Sequence, residues 1–138
     1  MNDLIKNLDL YEIDSLDIAY QLLIGDPHLI SFVGDKEKVF KWFIPEEFRD
    51  QPPIIRIHPI SELPAEYADN EQLAWDCILQ IDVWNQGDAR GIAMEINKLM
   101  KTINFQQSTP TYEFDEETYL IRDGRRYRGK ILADLKTY

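Results

Sequence analysis

Residues 73–84 read Leu73-Ala74-Trp75-Asp76-Cys77-Ile78-Leu79-Gln80-Ile81-Asp82-Val83-Trp84, and apolar residues occupy every second position. Leu73, Trp75, Cys77, Leu79, Ile81 and Val83 form one unbroken apolar row. The other row, Ala74, Asp76, Ile78, Gln80, Asp82 and Trp84, mixes polar and apolar groups. Successive side chains of a strand point to opposite faces of the sheet. The alternation therefore predicts a central strand over 73–84 with its odd-numbered side on the core and its even-numbered side partly wet.

Downstream, Asn85-Gln86-Gly87-Asp88 reads as a turn, with Asp88 placed to cap a helix. Ala89, Ile92, Ala93, Ile96, Leu99, Met100 and Ile103 recur at helical spacing. This predicts an amphipathic helix over 89–103 that lays its apolar stripe on the odd face of the strand, with Asn104 at its end. Upstream, Leu16, Ala19, Tyr20 and Leu23 predict a helix starting at Asp14 or Ser15 and stopping at Gly25. Asp26-Pro27 opens a short second helix, His28 to Val33, since proline at the first helical position loses no hydrogen bond. Val39 to Ile44 and Ile54 to His58 read as strands, ended by Pro45 and Pro59. Residues 59–70, with two prolines and several acids, read as a long exposed connection. Toward the C-terminus, strands are expected at Tyr112 to Phe114, Thr118 to Arg122 and Tyr127 to Leu135. Asp123-Gly124 is read as a hairpin turn between the last two. Strands and helices segregated in this order predict an α+β domain. Its mostly antiparallel sheet has about four to six strands, with the long helix and the short N-terminal helices packed on one face. The whole chain, 1–138, is expected to be one domain, with 1–13 as a possible N-terminal arm.

The chain is 44% hydrophobic, enough to build a core without disulfides or metals. No apolar run reaches the roughly 20 residues of a membrane span. The start, Met1-Asn2-Asp3-Leu4-Ile5-Lys6-Asn7, has no basic segment leading into an apolar one, so a cytoplasmic origin is expected. The single cysteine, Cys77, sits in the apolar row and reads as a small buried hydrophobe.

The formal net charge is −10, which disfavours binding to a phosphate backbone. Against that balance, Arg122, Arg125, Arg126, Arg128 and Lys130 crowd into nine residues. Three readings fit this cluster: a solvated strand whose arginines meet the chain's own acids, a protein interface, or a nucleic-acid contact. By parity Arg126 and Arg128 share the wet face, while Arg125 and Tyr127 turn toward the core. The three tryptophans, Trp42, Trp75 and Trp84, read as core or sheet-face residues. Trp84 is a candidate anchor because it lies on the face opposite Trp75. Catalytic signals are lacking in the sequence. There is no G-x-S-x-G, H-E-x-x-H, P-loop or G-x-G-x-x-G motif, and neither His28 nor His58 has a nucleophile or acid at a known catalytic spacing. Asp76 and Asp82 would lie about 20 Å apart on one strand, too far for one site. No catalytic, cofactor or metal residue is expected. The protein-interface candidates are Trp84, Arg122, Arg125, Arg126, Arg128 and Lys130.

Tyr67-Ala68-Asp69-Asn70-Glu71 leads into Gln80-Ile81-Asp82-Val83-Trp84, then a turn and the run Glu95-Ile96-Asn97-Lys98-Leu99-Met100. After these come a loop with Phe105, an acidic strand Tyr112-Glu113-Phe114-Asp115 and the strand Arg125-Arg126-Tyr127-Arg128. Over about residues 67–132 this pattern resembles the tail-completion (tail terminator) proteins of long-tailed phages and prophages of Gram-positive bacteria. The resemblance implies a small α+β subunit and no cofactor. It implies a hexameric ring on the head-proximal end of the tail tube that stops tube growth and receives the head connector. The partners would be the tail tube protein, the head-side connector and further copies of the chain, with no sequence-specific nucleic acid and no membrane. The location would be the virion's tail–head junction, reached from the host cytoplasm. A different neck protein, such as a head–tail adaptor or stopper, and an acidic cytoplasmic binding or regulatory protein are the alternative readings.

Overall fold

A computed structural model describes residues 14–68 and 71–132 of the chain. The expected arm at 1–13, and Leu135 at the expected end of the last strand, lie outside the described residues. Among the described residues, three α-helices, α1 (Ser15–Ile24), α2 (Pro27–Val33) and α3 (Ala89–Thr102), accompany six strands. The strands are β1 (Val39–Lys41), β2 (Ile54–Ala68), β3 (Glu71–Asn85), β4 (Gln106–Gln107), β5 (Thr111–Asp115) and β6 (Leu120–Leu132). The fold is α+β, as the segregated order predicted. All pairings are antiparallel except β1 with β2.

Each helix begins on an aspartate. Asp14, Asp26 and Asp88 accept hydrogen bonds from the backbone N–H groups of Asp17, Leu29 and Gly91, which have no partner inside the helix. The apolar stripes then face the sheet: Leu16, Ala19 and Leu23 from α1, Leu29 and Val33 from α2, and Ile92, Ala93, Ile96 and Met100 from α3. They meet Ile55 and Ile57 of β2, Cys77, Leu79, Ile81 and Val83 of β3, and Tyr127 of β6, all buried. Burial pushes the Cys77 thiol up to about 12, so it stays a neutral, inert filler of the core.

The strand order is β1-β2-β3-β6, with β4 and β5 both paired to the outer side of β6. β3 is therefore central and antiparallel to both neighbours, with its odd face under the helices, as its alternation required.

Two expectations are corrected. Of the expected connection 59–70, residues 59–68 are not a loose segment, for β2 continues through 68 and pairs with β3 as far as Ala68↔Glu71, and 69–70 lie outside the described residues. Beyond Ile57 this stretch has no β1 beside it. Pro59 and Pro64 therefore sit on a sheet edge, where a missing N–H breaks no ladder, and the register shifts next to each of them. Nor is Asp123-Gly124 a hairpin turn. β6 runs unbroken from 120 to 132 and pairs residue by residue with β3, Asp123 against Val83 and Gly124 against Asp82. The Asp123 carboxylate is buried and accepts two hydrogen bonds from Arg125, at 2.8 and 3.1 Å, while a third Arg125 nitrogen reaches Gln107. That pairing removes the need for Asp123 to face water.

The first strand is also shorter than expected. It stops at Lys41 because Trp42 takes a left-handed backbone, φ 70°. Trp42 is 58% exposed, contrary to the expectation of a core or sheet-face position. Trp75, on the odd side of β3, is half-buried against the core as read.

Candidate functional site

Among the described residues all three α-helices lie on the odd side, and no α-helix lies on the even side of the sheet. β2, β3 and β6 lie side by side there, so cross-strand neighbours fall into rows. Arg56, Asp82 and Gly124 form one row, and His58, Gln80 and Arg126 the next. Ile54, Trp84 and Arg122 flank them on one side, and Asp76 with Lys130 lies farther along.

Asp82 is the hub. Its side chain is fully buried on a face with no described helix above it. One carboxylate oxygen accepts from Arg56 Nη2 at 2.7 Å, and the other from Gln80 Nε2 at 2.9 Å and Arg122 Nη1 at 2.7 Å. A buried carboxylate needs such compensation, since an isolated one would be expensive to desolvate. Gly124 makes room for it. A Cβ there would stand 2.4 Å from Arg122 Nη1, 2.7 Å from Asp82 Oδ1 and 3.0 Å from Gln80 Nε2. Arg122 also reaches Glu113 of β5 at 2.6 Å, which ties the edge strand to the centre. Hydrogen bonds to Glu113 and Asp82 raise the Arg122 pKa, although its partial burial acts against this.

The six proposed interface residues separate under this geometry. Trp84 is half-buried, with the Arg56 guanidinium 5.0 Å from its ring centroid, so its ring is covered by a cation and is not a freely presented anchor. Arg122 is held by Asp82 and Glu113. Arg125 is 5% exposed, lies on the helix side of the sheet and serves the fold through Asp123. Arg128 is exposed and paired with Asp76 of β3, which holds that carboxyl below the usual carboxylate range. Lys130 is exposed on the same side. Arg126 differs from the other arginines of this face. Its Nε meets the neutral Gln80 Oε1 at 3.1 Å, and among the described residues it forms no ion pair.

Arg56, His58, Gln80, Asp82, Arg122 and Arg126 line an open groove of about 490 Å³, whose remaining wall includes Ser108, Thr109 and Thr111 from the β4–β5 segment. His58 is held below its ordinary pKa, first by partial burial and then by the Arg56 charge, with Arg126 adding to the effect. Asp82 and a hydrogen bond involving the Pro59 backbone pull the other way. The imidazole is thus neutral near pH 7. The buried Nε of Arg56 has no hydrogen-bond partner among the described residues. Arg56, Arg122 and Gln80 converge here on a single internal carboxylate, and Arg126 stands beside them, bonded only to Gln80. Arg56, His58 and the hydroxyl residues had no signal in the basic cluster itself. Only the parity of β2 and β3, carried across the sheet, places Arg56 and Asp82 in one row.

The sequence matches no known family model and no curated protein.

Proposed function

We propose that this chain is a tail terminator of a long-tailed phage or prophage of Gram-positive bacteria. It caps the head-proximal end of the tail tube as a ring of copies, a hexamer, ends tube polymerisation and joins the tail to the head connector. It has no reaction of its own and works at the tail–head junction of the virion after assembly in the host cytoplasm. The observation that carries this reading is the side of the sheet on which no described α-helix lies. In a chain of net charge −10, that face presents exposed Arg126, Arg128 and Lys130 in alternate positions of one strand. A rigid strand with a row of cations opposite in sign to the rest of the molecule favours correct encounter and register with an acidic surface, including that of another copy. The one-sheet α+β scaffold agrees with the class that the resemblance over 67–132 implies.

The test is an Arg126→Glu, Arg128→Glu double variant in a phage complementation assay, after circular dichroism shows that it folds. Expected are abnormally long tubes or unjoined heads and tails in electron micrographs. Normal phage yield would remove this face from tail completion.

A further inference from the structure

We propose that the groove between β2, β3, β6 and the β4–β5 segment is a carboxylate-binding site that takes an acidic, extended segment of a protein partner. The inference names the chemistry of the partner that this face of the sheet takes, and so rests on that face being an interface.

Three observations carry it. First, the groove has an excess of cations over its own carboxylates. Arg56 and Arg122 converge on the one carboxylate among its lining residues, Asp82, whose two oxygens are already engaged, and Arg126 stands beside them as a third cation. Arg122 spends its second nitrogen on Glu113 and the Arg56 Nε is buried, but Arg126 is exposed and has only an amide oxygen. Arg126 is the group an incoming anion would meet, and guanidinium–carboxylate hydrogen bonds are among the stronger ones available. Second, the facing wall supplies neutral donors, the hydroxyls of Ser108, Thr109 and Thr111, beside the neutral His58. Such groups hold an extended chain without adding charge. Third, the surplus is small. One or two carboxylates balance the groove, and an extended peptide brings them together with backbone amides that can meet the hydroxyl wall, which a phosphate strand does not have.

The experiment titrates the purified full chain with a blocked hexaglutamate peptide, with hexaglutamine and oligothymidylate as comparison ligands. Binding is followed by calorimetry and by the NMR titration of the His58 ring, assigned by its loss in His58→Gln. Hexaglutamate is expected to bind and to move the His58 midpoint upward, because a bound anion offsets the Arg56 and Arg126 charges that hold it down. Arg126→Gln, which removes no ion pair of the fold, is expected to weaken binding about tenfold or more, the scale of one lost charge-assisted contact. Arg90→Gln, an equal change of charge on the exposed side of α3, is expected to leave binding within about twofold, as a remote rim charge should. The proposal is overturned if hexaglutamate does not bind, or if both variants weaken it alike. It is equally overturned if His58 stays unmoved on binding, or if oligothymidylate binds as tightly with the same dependence on Arg126. The assay needs no phage, so failure of the peptide leaves the tail-terminator reading to stand or fall in the micrographs, and failure there leaves the peptide result intact.

Discussion

The two faces of β3 lie on one strand and are held by different physics. On the odd side, Cys77, Leu79, Ile81 and Val83 are buried under helices, and their contribution comes from apolar area removed from water. On the even side, Asp82 is as deeply buried as Leu79, yet no described helix covers it. Its cover is made of other polar groups, the two arginines and the glutamine that bond it. Apolar packing is tolerant of chemistry and sensitive to volume, whereas the polar row is sensitive to chemistry first. A face built from paired charges can also keep a group in reserve for a partner, which an apolar face under helices cannot. Arg126, bonded to Gln80 alone, is that reserve.

Substitutions can break this contrast at each level. The largest effect is expected from Leu79→Ala, a loss of about 2–5 kcal/mol in denaturant melts, because the helices above cannot collapse fully into the gap. Asp82→Asn keeps the volume but removes the charge on which Arg56 and Arg122 converge. A loss of about 1.5–3 kcal/mol is expected for those charge-assisted bonds, measured in the same way. A loss equal to that from Leu79→Ala would mean that the even face also works mainly by packing.

A smaller effect is expected from pH. His58, held below its ordinary value of 6.5, takes up its proton less readily in the folded chain than in the unfolded one. Well above that value both forms are neutral and the effect vanishes. As pH falls below it, the unfolded chain is protonated first, and stability is lost until the folded imidazole titrates as well. His58→Gln should flatten this part of the stability–pH curve, and Arg126→Gln should move the His58 midpoint upward in NMR titrations. The smallest effect on folding is expected from Arg126→Gln itself, within about 0.5 kcal/mol by thermal melting, as for a surface substitution with no buried partner. A large loss there would make Arg126 a structural residue and end the contrast between the paired and the reserved arginines.

Much of the architecture was legible in local pattern. The period of two in 73–84 and the helical spacing in 89–103 each report which side of an element meets the core, and that is a property of the chain's own periodicity. The aspartates before each helix are legible for the same reason, since a cap acts within three residues. Parity also separates the two sides of β6, where Arg125 and Tyr127 are buried and Arg126 and Arg128 exposed.

The misread segments share a different cause. Asp-Gly is a turn signal only where no neighbour claims its side chain and its missing Cβ. Here Arg125 claims Asp123, and the Asp82 network occupies the space above Gly124. Prolines end a strand unless they fall on an edge, and whether Pro59 and Pro64 do so depends on β1 stopping at Lys41. The groove belongs to the same class. Arg56 and Arg122 are 26 and 40 residues from Asp82 along the chain, and the three become neighbours through the pairing of β3 with β2 and β6. Periodicity reports the facing of one element at a time. Which charges meet is set by the register between elements, and register is fixed only when the sheet is assembled.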